Sequence, residues 1–88
     1  MSILKVSVRQ VKAARAMLDW SQAELAERSG VSEPTIKRLE ASDGELGGRT
    51  DTAQRIVGTL ESAGVLFLDG PYSGDGGPGV RLRSVDRA

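Results

Sequence analysis

QAELAERSGVSEPTIKRLE, residues 22–40, contains two short amphipathic helical patterns separated by a single Gly-Val-Ser step. Leu25 is an apolar centre of the first pattern, and Gly30 ends it because glycine adopts positive φ without a Cβ clash. Ser32 is suited to cap the second helix, and Pro34 falls in a first turn whose amides have no helical acceptor to lose. Two helices joined by such a turn are typical of a helix-turn-helix, whose second helix enters the major groove of DNA.

The second helix has the surface that groove reading requires. Ile36 and Leu39 form its apolar back, while Lys37 and Arg38 lie on its exposed front. A reading helix needs such a back, and a front whose donors and acceptors match base edges. The alternatives are a plain helical bundle with a solvated basic face and, for Arg38, a surface ion pair with a nearby acid. The combined pattern and spacing favour the helix-turn-helix.

Capping signals place the remaining helices around this pair. Residues 7–10, Ser-Val-Arg-Gln, and residues 21–24, Ser-Gln-Ala-Glu, both read as capping boxes that open helices. Thr50 or Asp51 is expected to cap a fourth helix, which should end near Gly64. Apolar residues recur at three- and four-residue spacing between these signals, which predicts amphipathic helices.

The pattern changes after the fourth helix. Residues 65–68, Val-Leu-Phe-Leu, form a bounded apolar run, and residues 80–83 alternate with period two, which predicts a β-hairpin around a glycine-rich loop. The predicted fold class is mainly α: a four-helix domain with a helix-turn-helix, followed by a C-terminal β-hairpin. The expected organisation is an N-terminal arm or strand at 1–6, the helical DNA-binding domain at 7–63, the hairpin at 64–83 and a frayed tail at 84–88.

Composition disfavours an enzyme. The chain of 88 residues has neither cysteine nor histidine, which removes disulfides, thiolate chemistry and the commonest zinc ligand and general base. No paired carboxylates stand out, so we expect no catalytic residue, no metal and no cofactor. The N-terminal ten residues are too short and too mixed for a signal peptide or membrane span, so a soluble cytoplasmic protein is expected.

Charge is unevenly distributed although the net charge is zero. Residues 1–40 hold seven basic and five acidic side chains, whereas residues 41–64 hold two basic and four acidic ones. A basic face for DNA is therefore compatible with overall neutrality.

Residues 74–79 match the dinucleotide fingerprint G-x-G-x-x-G. That fingerprint works by opening a helix whose N-terminus faces a pyrophosphate, and here it leads into a predicted strand without a βαβ unit. A hairpin loop is the favoured interpretation.

The helical region resembles the phage repressor and Cro family of regulators, often called the Xre family. The positions that carry the resemblance are Trp20-Ser21, Gln22, Ala26, Gly30-Val31, Ile36 and Leu39-Glu40. They fall at the family's spacing, and the resemblance extends from Ser7 to about Ala63.

The resemblance implies roles for particular residues. Gln22 corresponds to a glutamine that contacts a phosphate and buttresses the reading helix, whereas Arg15 and Glu40 correspond to a pair inside the fold. The residues implied to contact DNA are Gln22, Ser32, Glu33, Pro34, Thr35, Lys37, Arg38, Arg49 and Thr50.

Two departures from the family limit what carries over. The first turn of the reading helix has Glu33 and Pro34 where members often have glutamine, which leaves base preference open. A hairpin stands in place of the usual fifth helix, so the family's mode of dimerisation does not transfer.

We therefore predict a sequence-specific regulator that binds double-stranded DNA as a homodimer and represses by occupying an inverted-repeat operator. The rival is an antitoxin-like module that caps a partner protein and regulates its own synthesis. An all-apolar strand exposes one face, so the hairpin, assisted by the Ile3-to-Val6 arm as an added strand, is expected to form the dimer interface. The predicted interface residues are Val65, Leu66, Phe67, Leu68, Val80 and Leu82.

Overall fold

Four helices are followed by a two-stranded antiparallel sheet in the computed structural model, which describes residues 6–68 and 76–83. The elements are α1 (Val8–Leu18), α2 (Gln22–Ser29), α3 (Glu33–Glu40), α4 (Thr50–Ser62), β1 (Val65–Leu68) and β2 (Gly79–Leu82). The predicted fold class is confirmed. The predicted tail at 84–88 and most of the predicted arm lie outside the described residues.

The first predicted capping box is confirmed and the second is half right. Ser7 Oγ accepts from the Gln10 amide at 3.1 Å, and Gln10 Oε1 accepts from the Ser7 amide at 2.8 Å. At α2, Ser21 Oγ accepts from the Glu24 amide at 3.0 Å. The Glu24 carboxylate does not reach back, because it pairs with Arg28 one turn further along α2.

The predicted side-chain cap of α4 is wrong. The N-cap is Arg49, which makes no side-chain cap hydrogen bond, so Thr50 is already helical. The helix begins one residue earlier because the Arg49 carbonyl accepts from the Ala53 amide at 3.0 Å. Asp51 lies in the first turn instead, where a carboxylate is favourable next to the helix dipole.

One hydrophobic core joins all four helices to the base of the hairpin. Leu25, Ile36, Ile56 and Leu60 are the largest of its nearly inaccessible side chains, and burying each contributes about 1.5–3 kcal/mol. The whole cluster comprises Val6, Val11, Ala14, Leu25, Val31, Ile36, Leu39, Ile56, Leu60 and Val65. Since this core holds α2 and α3 against α1 and α4, the α2–α3 turn is presented as a rigid unit.

The hairpin register assigns each strand residue to a face. Phe67 pairs with Val80, and both pack against the core. Leu66 pairs with Arg81, and because side chains alternate along a strand, these two lie on the opposite face together with Leu68. We call Leu66, Leu68 and Arg81 the outer face of the hairpin. The second strand spans 79–82 rather than the predicted 80–83.

Gly79 opens β2 and not a helix. The fingerprint at 74–79 therefore lacks the helix N-terminus that a dinucleotide pyrophosphate needs. The loop interpretation is confirmed for residues 76–78, which precede the strand.

A single buried amide closes the end of the hairpin onto α1. Gln10 Nε2 donates to the carbonyls of Leu68 and Gly79, each at 2.9 Å, while its oxygen serves the capping box. The side chain is thus satisfied on every side, as a polar group buried to this extent requires.

The described end of the N-terminal arm pairs with a helix connection and not with the hairpin. The Val6 carbonyl accepts from the Leu46 amide at 2.8 Å, and Ser7 forms an antiparallel bridge with Glu45. Val6 is buried in the core, which anchors the chain there. The expectation that the arm extends the hairpin is therefore wrong at Val6, and residues 3–5 lie outside the described range.

Candidate nucleic-acid interface

Helix α3 has a buried back and a charged, solvent-facing front. Ile36, Leu39 and Glu40 are buried, whereas Lys37 and Arg38 are exposed. At a rise of about 1.5 Å per residue, eight residues give a rod of about 12 Å, which is close to the width of the major groove.

A three-residue polar network fixes where α3 ends. Arg15 donates to both carboxylate oxygens of Glu40, from Nε at 2.9 Å and from Nη2 at 2.7 Å. Gln22, at the start of α2, donates from Nε2 to Glu40 Oε1 at 2.9 Å. The network joins α1, α2 and α3, so the angle of α3 to its neighbours depends on it. The two residues that the sequence assigned to a structural pair thus contact each other directly.

The ion pair is largely removed from water. The Arg15 side chain is 18% exposed and that of Glu40 is 4% exposed. Burial alone would raise the pKa of the Glu40 carboxyl, but hydrogen bonds from Arg15 and Gln22 outweigh burial and hold the pKa below its ordinary value. The same pairing raises the pKa of Arg15. Both groups are therefore charged at neutral pH.

Charges on the front of α3 differ in how they are held. Lys37 Nζ lies 3.6 Å from Glu33 Oε2, an exposed i,i+4 pair of the kind that contributes little to stability. Arg38 has no acid within 4.0 Å among the described residues, so its guanidinium is available to a ligand. The surface ion pair considered for Arg38 is absent from that part of the chain.

Hydroxyl groups and a proline occupy the first turn of α3. Ser32 Oγ accepts from the Thr35 amide at 3.3 Å and donates to Thr35 Oγ1 at 2.9 Å. Pro34 lies exposed in the same turn and removes no helical hydrogen bond. The turn is therefore preorganised, with Pro34 and the Thr35 hydroxyl at the surface.

Arg49 and Thr50 lie where the α3–α4 connection enters α4. The Arg49 side chain is 83% exposed, and its Nε donates to Asp51 at 3.2 Å. That bond holds the pKa of the Asp51 carboxyl below its ordinary value. Arg49 is consequently a surface cation in an exposed ion pair.

Sequence reasoning missed two further contacts around the network. Arg15 Nη1 donates to the Trp20 carbonyl at 2.9 Å, and Lys12 Nζ donates to the Glu40 carbonyl at 3.4 Å. Lys12 precedes Arg15 by three residues, so the two share one face of α1. That spacing was the available signal that Lys12 supports the same end of α3.

The geometry defines a class of protein: a helix-turn-helix whose second helix presents a basic, partly preorganised front. Residues 11–50 match the family described as helix-turn-helix, from the second turn of α1 to the first residue of α4. The resemblance to the Xre and Cro regulators is confirmed for this segment, which forms an Xre-type helix-turn-helix, and such a domain supports a DNA-binding transcription regulator. No curated protein matches the chain.

None of the described helices has the length and apolar character needed to cross a membrane. The described residues also contain no cluster of three or more histidine, cysteine or acidic side chains that could hold a metal ion.

Proposed function

We propose that this protein is a sequence-specific repressor that binds an inverted-repeat operator as a homodimer in the cytoplasm. The observation that carries the proposal is the front of α3, where Arg38 is unpaired among the described residues while the back of the helix is locked by Arg15 and Glu40. An arginine on a fixed helix is well suited to read guanine through its O6 and N7 acceptors.

Each exposed residue has a proposed role. Arg38 reads a base edge, and Lys37 leaves Glu33 to meet a phosphate or a base. Glu33, once released, accepts from the exocyclic amine of cytosine, which matches the acceptor-only chemistry of a carboxylate. Pro34 offers only apolar contact, for which a thymine methyl is the available partner.

The remaining residues are proposed to position the helix on the backbone. Gln22 has a second amide N–H besides the one given to Glu40, and a phosphate is its proposed acceptor. Arg49 and the Thr50 hydroxyl contact phosphates at the start of α4, and the hydroxyls of Ser32 and Thr35 do so at the start of α3. Such contacts fix orientation and carry no direct sequence information.

Dimerisation is proposed because one module gives only a small interface with DNA, about 600–1,000 Å². Half-sites in successive major grooves lie about 34 Å apart. The longest extent of the chain is 36 Å, so two adjacent protomers could span that distance. We propose that the outer face of the hairpin meets the same face of a second copy, because Leu66 and Leu68 are only partly buried there.

Repression follows from occupancy alone. A dimer bound across two half-sites excludes other proteins from the same DNA and needs no further contact to do so. The first experiment is selection of bound duplexes from a random pool, followed by titration of the best site at physiological salt. An inverted repeat with half-sites one helical turn apart is expected; recovery of no preferred sequence would contradict the proposal.

The antitoxin-like alternative has one observation in its favour. Leu66 and Leu68 are partly exposed on the outer face, a surface that a protein partner could cover instead of a second copy. Affinity capture from the native host distinguishes the two. One small protein recovered in stoichiometric amount would favour the alternative, whereas operator binding by the isolated homodimer would favour the repressor.

A further inference from the structure

An open groove lies between α2 and α4, and none of its lining residues is among those proposed to contact DNA. Its volume is about 590 Å³, and the lining residues that matter here are Trp20, Arg28, Arg55, Gly58, Thr59 and Ser62. None of these residues is needed for the proposed DNA contacts, so the groove can be tested independently of them.

Basic side chains line the groove, and one of them, Arg28, is ion-paired with Glu24. Two guanidinium groups line it, and no carboxylate does so among the described residues. The Arg28 guanidinium lies 4.6 Å from the centroid of the Trp20 ring, a cation–π arrangement that holds it in place, and its Nε donates to Glu24. That leaves the two terminal nitrogens of Arg28 for another acceptor.

Arg55 reaches toward α2 from the other wall. Its Nη1 lies 3.8 Å from the position that a Cβ on Gly30 would occupy, at the C-terminal end of α2. No acid lies within 4.0 Å of it among residues 6–68 and 76–83. The two arginines therefore face one groove from opposite helices, and each retains free donors.

Gly58 has no structural reason to be glycine. It lies inside α4, where glycine is less stable than alanine, yet a Cβ at this position would meet no atom within 4 Å. Since its absent side chain would project into open space beside the lining residues Thr59 and Ser62, glycine keeps this wall open to close approach by another chain.

We propose that the α2–α4 groove binds an acidic, extended segment of a partner protein. Carboxylates of the segment would pair with Arg28 and Arg55, its backbone would pass close to Gly58, and the hydroxyls of Thr59 and Ser62 would serve as hydrogen-bond partners. Charge complementarity selects an acidic occupant. The open shape favours a segment of chain over a small molecule, which needs a concave site that encloses most of its surface.

The test uses the only tryptophan in the protein, which lines the groove. An octapeptide of alternating glutamate and alanine is titrated into the full chain while Trp20 fluorescence is recorded, with the lysine counterpart as a second probe. The glutamate peptide should give a saturable change and the lysine peptide none. Absence of a saturable change with the glutamate peptide would overturn the proposal.

Three variants make the test specific. Arg55→Gln should weaken peptide binding at least about tenfold, and Gly58→Leu should abolish it by filling the groove. Arg9→Gln removes the same charge from an exposed position on α1 and should change binding less than about twofold, because only local charges pair strongly. Equal weakening by Arg9→Gln and Arg55→Gln would mean unspecific attraction and would overturn the proposal.

Folding and DNA binding are followed in the same samples. Gly58→Ala should raise the melting temperature, because alanine favours a helix and nothing in the chain occupies the space. Operator affinity should be unchanged in Arg55→Gln. Displacement of the peptide by the operator duplex would show that the peptide occupies the DNA-binding face, which would also overturn the proposal.

Discussion

Arg38 is the residue on which sequence selectivity should depend most, because it is exposed, unpaired among the described residues and carried on a fixed helix. Arg38→Ala should cost about 1–3 kcal/mol of binding free energy on the preferred duplex and relax the preference at one base pair. Titration of matched operator and single-mismatch duplexes measures both effects. Arg9→Ala, a matched loss of an exposed arginine on α1, should alter neither, and unchanged selectivity in Arg38→Ala would refute the proposed groove contact.

Arg49 should behave differently because a phosphate contact reads no sequence. Arg49→Gln should weaken binding to all duplexes by a similar factor and lower the salt slope of the binding constant by about one. The measurement is affinity for operator and scrambled DNA over a range of salt concentrations. A loss confined to the operator would assign base readout to Arg49 instead.

Glu40 is the residue whose loss should most disturb the geometry of the interface. Glu40→Ala leaves the Arg15 guanidinium largely buried without its partner, which should cost about 3 kcal/mol and lower the melting temperature by more than about 10 °C. Glu24→Ala breaks an exposed pair and should cost at most about 1 kcal/mol. Thermal unfolding of both variants makes the comparison, and equal losses would contradict the assignment of Glu40 to a buried structural pair.

The same carboxyl makes stability depend on acidity. Its pKa lies below the ordinary 4.5 in the folded protein, so the ionised form stabilises the fold. That contribution is complete above the unfolded-state value and is lost as the pH falls through the folded-state value. Urea unfolding should therefore show a decline in stability below pH 4.5 that is smaller in Glu40→Gln. Parallel curves for the two proteins would rule out this linkage.

At the scale of elements, local chemistry made most of the fold predictable. Ser7, Ser21 and Ser32 each accept an amide hydrogen bond at the start of a helix, and Gly30 ends α2 with a φ of 78°. The start of α4 was mispredicted because the Arg49 backbone alone begins the helix, without a side-chain signal. The start of a helix can be predicted from sequence when a side chain caps it, and it cannot when only the backbone does.

Contacts between elements were predictable only where the family resemblance indicated which residues meet. The Arg15 and Glu40 pair followed from the family resemblance, but nothing local indicated that Gln10 would bond to the hairpin, 58 and 69 residues away. The same limit applies to Val6, which pairs with Leu46 in the α3–α4 connection. Hydrogen-bond partners this far apart in the chain depend on how the elements pack, and that packing cannot be deduced from one sequence.

At the scale of the whole molecule, the fold decides which hairpin residues can join two protomers. Val65 is buried, and Phe67 and Val80 pack against the core, so three of the six predicted interface residues already have intramolecular partners. Substituting Phe67 would damage the core before it tested assembly. Leu66 on the outer face is therefore the better probe.

Leu66→Asp should convert the proposed dimer to monomers and weaken operator binding at least about tenfold, because each protomer then binds its half-site without a linked partner to align it. Light scattering gives the mass, and duplex titration gives the affinity. Met17→Asp makes a similar change at another exposed apolar residue, 45% accessible on α1, and should leave the dimer intact. A Leu66→Asp protein that remains dimeric would move the interface elsewhere.

Helix α1 contacts the hairpin on one side and α3 on the other, and polar groups of different charge hold these two interfaces, which we call its seams. The seam toward the hairpin is held by an uncharged side chain, whereas the seam toward α3 is held by the ion pair of Arg15 and Glu40. Protons and salt act on charges, so acidification should loosen α3 while the hairpin stays docked on α1. Local openings of this kind need not unfold the whole chain. A cell compartment or buffer that turned acidic would thus disable DNA reading first and leave the proposed assembly surface in place.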